Sequence, residues 1–135
     1  MGTRRAAEYH RGMLGRPWLA LALCAATLGC DQPVTQLVVV VDSGYAPRTE
    51  LATVDVGVAS AGGETEQRTF TVASSGVPFS IGVVPRGGDA SRSVTITVRG
   101  RAPDGATLVT QTVRTGFISG QSLLVPIFLA RRCGG

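Results

Sequence analysis

Cys30 is the residue whose type and position point most clearly to a chemical role. Its thiol can form a thioether, and it follows a small residue, Gly29, at the end of an apolar segment of 12 residues, 17–28. Basic residues precede that segment, namely Arg4, Arg5, Arg11 and Arg16. A basic region, a short apolar run and a small residue are typical of an export signal. Because crossing a bilayer takes about 20 apolar residues, the segment predicts a signal peptide rather than a transmembrane helix.

The sequence Thr27-Leu28-Gly29-Cys30 resembles the lipobox of bacterial lipoproteins, with threonine at the position where leucine is usual. The resemblance implies cleavage between Gly29 and Cys30, lipid on the Cys30 sulfur and an acyl chain such as palmitate on the new amino group. Two or more acyl chains hold a protein durably on a membrane. The resemblance therefore implies a cell-envelope protein, anchored to a membrane through Cys30 and facing the periplasm or the cell surface. The alternative is a secreted protein cut near Ala25 or Ala26, with Cys30 a free thiol.

With cleavage before Cys30, the sequence predicts four segments. These are a lipoprotein signal peptide (1–29), a lipidated cysteine with its tether (30–33), a β-sandwich domain (34–130) and a C-terminal tail (131–135). Either Met1 or Met13 can serve as the start. The tail contains Cys133, a candidate for an intermolecular thiol pair, and a chain truncated after Gly135 is the alternative explanation of this ending. The part after the signal is long enough for one domain with a real core.

The part of the chain after residue 29 lacks the residues on which much enzyme chemistry depends. It has no histidine, lysine, methionine or tryptophan, which excludes histidine triads, lysine Schiff bases and the commonest metal ligand. Its nine arginines and eight acidic residues give a net charge of +1, which argues against nucleic-acid binding. Glu64 and Glu66 are closely spaced but follow Gly62-Gly63 in a predicted turn. We expect no enzyme activity and no catalytic, cofactor-binding or metal-binding residues.

Apolar and polar residues alternate over short segments, as in 54–58, which predicts β-strands with one wet face. The clearest hairpin turn is Pro103-Asp104-Gly105, and no segment has helical periodicity. Seven candidate strands predict an all-β fold, an antiparallel immunoglobulin-like β-sandwich, although a transthyretin-like or small β-barrel arrangement would use the same strands. Pro126 indicates an edge strand or a bulge. Since residues 31–132 contain no cysteine, aliphatic and phenylalanine side chains must form the core. The phenylalanines are Phe70, Phe79, Phe117 and Phe128.

The lipobox followed by valine-rich strands is similar to small uncharacterised envelope lipoproteins of GC-rich Gram-negative bacteria, most clearly at 77–85 and 111–117. This resemblance implies a fold and a location but no active site. We expect a non-catalytic structural or protein-interaction module that docks an envelope protein on an unpaired edge strand. The alternative is small-ligand or carbohydrate binding, for which Phe79, Phe117 or Tyr45 would be exposed beside arginines. The oligomeric state is left open.

Overall fold

The computed structural model describes residues 33–131, which form two packed β-sheets. A three-stranded sheet has the order β4-β1-β7, and a four-stranded sheet has the order β3-β2-β5-β6. The strands are β1 (Gln36–Ser43), β2 (Thr53–Ser60), β3 (Thr65–Thr71), β4 (Phe79–Val83), β5 (Ser93–Arg101), β6 (Thr107–Gly116) and β7 (Ser122–Leu129). The predicted all-β sandwich of seven strands is confirmed.

The strand order is the feature that the sequence does not specify. In the constant-type immunoglobulin order, the first and second strands share a sheet and the third strand lies in the other sheet. Here β1 and β2 lie in different sheets, and β3 pairs with β2. Two separate sheets also differ from a closed barrel. The strand order therefore differs from the constant-type immunoglobulin order, and the two separate sheets form a β-sandwich.

One strand pair differs from the expected antiparallel pattern. β1 and β7 run parallel, from Gln36 opposite Ser122 to Ser43 opposite Leu129, whereas the other four strand pairs are antiparallel. Antiparallel direction is imposed by a tight turn only on strands that follow each other in the chain. β1 and β7 are the first and last strands, so no turn imposes that direction on them.

The hairpin predicted at Pro103-Asp104-Gly105 joins β5 and β6. Gly105 has a φ of 87°, in the left-handed region that glycine adopts at no steric cost. The Asp104 carboxylate accepts a hydrogen bond from the backbone N–H of Ala106 at 2.9 Å. The turn therefore has the proline, aspartate and glycine chemistry that the sequence indicated.

A short helix, α1 (Val72–Ser75), carries the chain from β3 in one sheet to β4 in the other. No helix was expected, because a single turn of four residues is too short to produce a periodic pattern. The backbone N–H of Gly76, at a φ of 70°, donates to the carbonyl of Val72 and ends the helix. A one-turn 3₁₀ helix, Arg86–Gly88, lies between β4 and β5.

The core lies between the sheets and consists mainly of aliphatic side chains at alternate strand positions. Phe117 is buried, and Phe70 and Phe79 are partly buried against the core. Phe128 is 54% exposed, so its expected place in the core is wrong. Its neighbours Ile127 and Leu129 face inward, and alternation therefore turns Phe128 outward. The fully buried residues are Leu37, Val39, Val41, Leu51, Val54, Ile96, Val98 and Leu129.

Pro126 lies in β7, an edge strand, as predicted. The carbonyls of Gln121 and Leu129 accept hydrogen bonds from the backbone of the β1 side. Backbone groups alternate in direction along a strand, so the odd-numbered residues of β7 face β1 and the even-numbered ones face the free edge. Pro126 therefore removes a donor from the middle of that free edge and not from the β1–β7 pairing.

We expect Ile96→Ala to lower the free energy of unfolding by about 2–5 kcal/mol, because it leaves a cavity at a side chain that is fully buried between the sheets. Urea unfolding followed by circular dichroism measures this change. Ile118→Ala is the matched control, since it removes the same atoms from a side chain that is 49% exposed. The control should cost less than about 1 kcal/mol. Equal costs for the two variants would contradict this account of the core.

Candidate functional site

The sandwich is sealed at one end of its β3–β4 side and open at the other. β3 and β4 are edge strands of different sheets. Where β3 ends and β4 begins, the rings of Phe70 and Phe79 pack with their centroids 4.8 Å apart. Toward Glu66 and Val83, at the other ends of these strands, the sheets bound a cleft of about 210 Å³. This cleft is the first candidate site.

Charged residues at inward positions of β3 keep the cleft open. The register of β3 with β2 places Phe70 opposite Val54, which is buried, and places Arg68 and Glu66 further along the same side of the strand. Burying an unpaired charge is costly. The β3 edge therefore stays in contact with water at Glu66 and Arg68 and is sealed only at Phe70.

The floor of the cleft is apolar. Ser60 is among the residues that line the cleft, but its hydroxyl oxygen is buried, makes no hydrogen bond within the described residues and is out of reach of water in the cleft. A buried hydroxyl without a partner costs about 1–3 kcal/mol. The chemistry of the cleft fits a small apolar molecule. The floor residues are Val56, Val58, Ile81, Val83, Val94 and Phe117.

Ion pairs line the rim of the cleft. The Glu64 carboxylate lies 3.0 Å from the Arg86 guanidinium and 3.9 Å from that of Arg92. The Glu66 carboxylate lies 2.9 Å from Arg68. Glu64 occupies the predicted β2–β3 turn, where its carbonyl accepts a hydrogen bond from the Ser60 N–H at 2.8 Å. Since these side chains are largely solvated, each pair contributes at most about 1 kcal/mol, and the rim is a polar border and not a catalytic carboxylate pair.

The outer face of the three-stranded sheet is the second candidate site. Its central residues are apolar and lie side by side, with Val38 opposite Leu124 and Val40 opposite Pro126. Leu124 is 66% exposed, and Phe128, further along β7, is also exposed. We call this surface the apolar sheet face; it consists of Val38, Val40, Leu124, Pro126 and Phe128. A contiguous exposed apolar surface of this kind marks an association surface.

The outer face of the four-stranded sheet is polar, and we call it the polar sheet face. It presents mainly threonine, charged and amide side chains from β2, β3, β5 and β6, among them Thr97 and Thr112. On it, the Asp55 carboxylate accepts hydrogen bonds from Arg101 at 2.6 Å and from the Thr69 hydroxyl at 2.7 Å. Burial acts to raise the pKa of Asp55, but the hydrogen bonds from Arg101 and Thr69 outweigh it and hold the pKa below its usual value.

The residues predicted to carry function do not meet in one place. Phe79 lies at the sealed end of the cleft and Phe117 in its floor. Tyr45 lies elsewhere, with the Arg131 guanidinium 5.8 Å from its ring centroid. These residues therefore do not form the aromatic platform that carbohydrate binding, the alternative function, would need. The lipidation and cleavage residues and the thiol of the tail lie outside the described residues; they are Gly29, Cys30 and Cys133.

Sequence reasoning missed the cleft, although the sequence contains a signal for it. The segment 65–71 has glutamate, arginine and phenylalanine at alternate positions. When such a segment is an edge strand, the two charged positions cannot be buried against the opposite sheet. Recognising the cleft also required knowing that β4 lies opposite β3 across the sandwich, which depends on the strand order.

The acid sensitivity of the domain should depend on Asp55. Because its pKa is below the unfolded-state value of about 3.9, its contribution to stability is complete above that pH and is lost as the pH falls through the folded-state pKa. We therefore expect the free energy of unfolding of Asp55→Asn to fall less than that of the wild type between about pH 5 and pH 2. A carboxyl-carbon NMR titration that gave Asp55 a pKa at or above about 3.9 in the folded protein would contradict this role of Asp55.

No protein-family model matches the chain, and comparison with curated proteins and with solved structures found no similar protein. Within residues 33–131, no helix is long and apolar enough to cross a membrane. The same residues contain no group of three or more histidine, cysteine, aspartate or glutamate side chains placed to hold a metal ion.

Proposed function

We propose that the chain is a lipoprotein of the bacterial cell envelope, anchored through lipid on Cys30, and that its β-sandwich is a non-catalytic structural or protein-interaction module. The observation that carries the proposal is the apolar sheet face, where Leu124 and Phe128 are exposed in a regular sheet. Apolar area left in water is unfavourable, by about 25 cal/mol per Å². A surface of this kind is stabilised by association, which is the activity expected of an anchored module.

The tether supports anchoring at Cys30. Pro33, the first described residue, follows Cys30 by three positions. At about 3.5 Å for each extended residue, a lipid on Cys30 would hold the domain within roughly 10 Å of the membrane surface. The tether leads into β1, which is the central strand of its sheet and is paired on both sides. A pull on the anchor would therefore act on a well-supported strand.

Hydrogen bonds lower the pKa of three carboxyl groups, which supports a non-catalytic role for these three. The backbone N–H of Ala46 holds the pKa of Glu50 below its usual value, and the Ser91 hydroxyl does the same for Asp89. The pKa of Asp55 is also lowered. A general acid or base that works near neutral pH needs a carboxyl pKa raised toward 7. These carboxylates serve instead to fix loops and strands.

Lipid should be attached at Cys30 and at no other cysteine. We expect the wild-type chain, expressed in a Gram-negative host with labelled palmitate, to carry the label, and Cys30→Ser to lose it. The loss follows because a hydroxyl cannot form the thioether on which processing depends. Cys133→Ser is the matched control and should keep the label. Label retained by Cys30→Ser would contradict the proposed anchor.

A protein partner should be found in the native envelope. We place a photo-crosslinking amino acid at Thr112 on the polar sheet face and, in a separate chain, at Leu124 on the apolar sheet face. We expect one reproducible protein adduct from one of these positions, because only a docked partner presents the same atoms to the crosslinker repeatedly. The adduct should disappear when the chain also carries Cys30→Ser, since the unanchored domain is no longer concentrated at the membrane.

Binding of a small ligand is the second candidate function, and the cleft is the observation that favours it. An apolar floor that includes Phe117 suits a small apolar molecule better than a carbohydrate, which would need an exposed aromatic platform. Recovery of no protein adduct, together with ligand binding whose NMR shift changes map to Val58 and Phe117, would favour this candidate. Turnover that is lost in Glu64→Gln would contradict both candidates.

A further inference from the structure

We propose that the apolar sheet face lies on the bilayer that holds Cys30, so that the domain rests on its three-stranded sheet and turns its polar sheet face toward the aqueous compartment. This inference rests on the proposed lipid anchor. It assigns one occupant to the apolar sheet face, namely the headgroup and upper acyl region of the lipid. A protein partner would then dock on the polar sheet face or the loops.

The exposed apolar side chains are concentrated on one side of the domain. Val84 directly follows Val83, which pairs with Leu37 near the start of β1. The turn before β7 lies at the same end, because the Gly120 N–H donates to the Thr35 hydroxyl at 2.8 Å. The large apolar side chains exposed in residues 33–131 all lie at this end or on the apolar sheet face. They are Val34, Val84, Ile118, Leu124 and Phe128.

The tether favours a membrane as the occupant over a protein. It enters at the end that carries Val34, and only two residues separate Pro33 from Cys30. Because the lipid would be fixed in the bilayer, this end of the domain would stay within roughly 10 Å of the membrane surface. The exposed apolar side chains continue from that end across the apolar sheet face. The bilayer is therefore the apolar phase that these side chains can always contact.

The end of the face far from the tether has a residue type that favours the membrane–water interface. Phe128 lies beside Gly44, where an added Cβ would come within 3.5 Å of its ring. Tyr45 follows Gly44, and the Arg131 guanidinium lies over the Tyr45 ring. Tyrosine rings favour the headgroup depth of a membrane. The Arg131 guanidinium is already paired with the Glu50 carboxylate and the Gly44 carbonyl. Tyr45 is therefore the residue at this end that suits the membrane–water interface.

Placing the polar sheet face on the membrane is unfavourable because that face carries charged side chains. Of the outward residues on β1, β4 and β7, only Asp42, near the end of β1, carries a charge. The polar sheet face has Arg99, Arg101 and Arg114 among its threonines. Placing that face on the acyl region would remove charged groups from water. The difference between the two outer faces therefore determines which one meets the membrane.

The test uses the lipid-bearing protein purified from the envelope, with its lipid confirmed by mass spectrometry. It is placed in vesicles of phosphatidylethanolamine and phosphatidylglycerol, and photo-crosslinking residues stand at Leu124, at Phe128 or, as the matched control, at Thr112. We expect several-fold more phospholipid adduct from Leu124 and Phe128 than from Thr112. With the crosslinker at Phe128, Leu124→Glu should reduce the lipid adduct several-fold while the protein stays on the vesicles.

The remaining outcomes would contradict the proposed orientation on the bilayer. Equal adducts at the three positions, or lipid adduct at Leu124 but none at Phe128, would overturn the flat orientation while leaving the anchor intact. A protein adduct at Leu124 in the native envelope would replace the bilayer by a protein on this face and still support the proposed function. Absence of lipid on Cys30 in the purified protein would overturn both the proposed function and this inference.

Discussion

The structure depends on the packing of short aliphatic side chains between two sheets that no disulfide joins. Residues 31–132 contain no cysteine, so nothing cross-links the sheets within this part of the chain. Leu37, Val39 and Val41 of β1 and Ile96 and Val98 of β5 are fully buried at alternate positions and fill the space between them. β-Branched side chains lose little rotamer freedom in strands, which suits a core with few aromatic rings. The location of the cleft follows from how far this packing extends toward the β3–β4 edge.

Three of the four edge strands are protected against the addition of another strand, and β6, which is ten residues long, is the fourth edge. β3 has Glu66 and Arg68 on its inward side, β4 is only five residues long, and β7 has Pro126 in the middle of its free edge. Charges, short length and proline all disfavour the addition of another strand. Strand addition is therefore disfavoured at β3, β4 and β7, whereas the apolar sheet face offers association through side chains rather than backbone groups.

The two outer faces of the sandwich differ in polarity. A sandwich displayed freely in water needs polar residues on both outer faces, yet here threonine, glutamine and arginine are concentrated on the four-stranded sheet, while valine, leucine, proline and phenylalanine occupy the three-stranded one. The anchor proposed at Cys30 leads into the apolar sheet. The cleft opens on the side where β3 and β4 form the edges.

Local sequence patterns determined the elements of this fold, because strand alternation and turn chemistry depend on neighbouring residues. The alternation in 54–58, the Pro103-Asp104-Gly105 turn and the edge position of Pro126 were all predictable. Only the tertiary structure decided which strands share a sheet, that β1 and β7 run parallel, and that Phe128 points outward. These features depend on contacts between residues far apart in the chain. The cleft and the apolar sheet face could not be derived from the sequence alone, since each is assembled from strands that only the strand order makes neighbours.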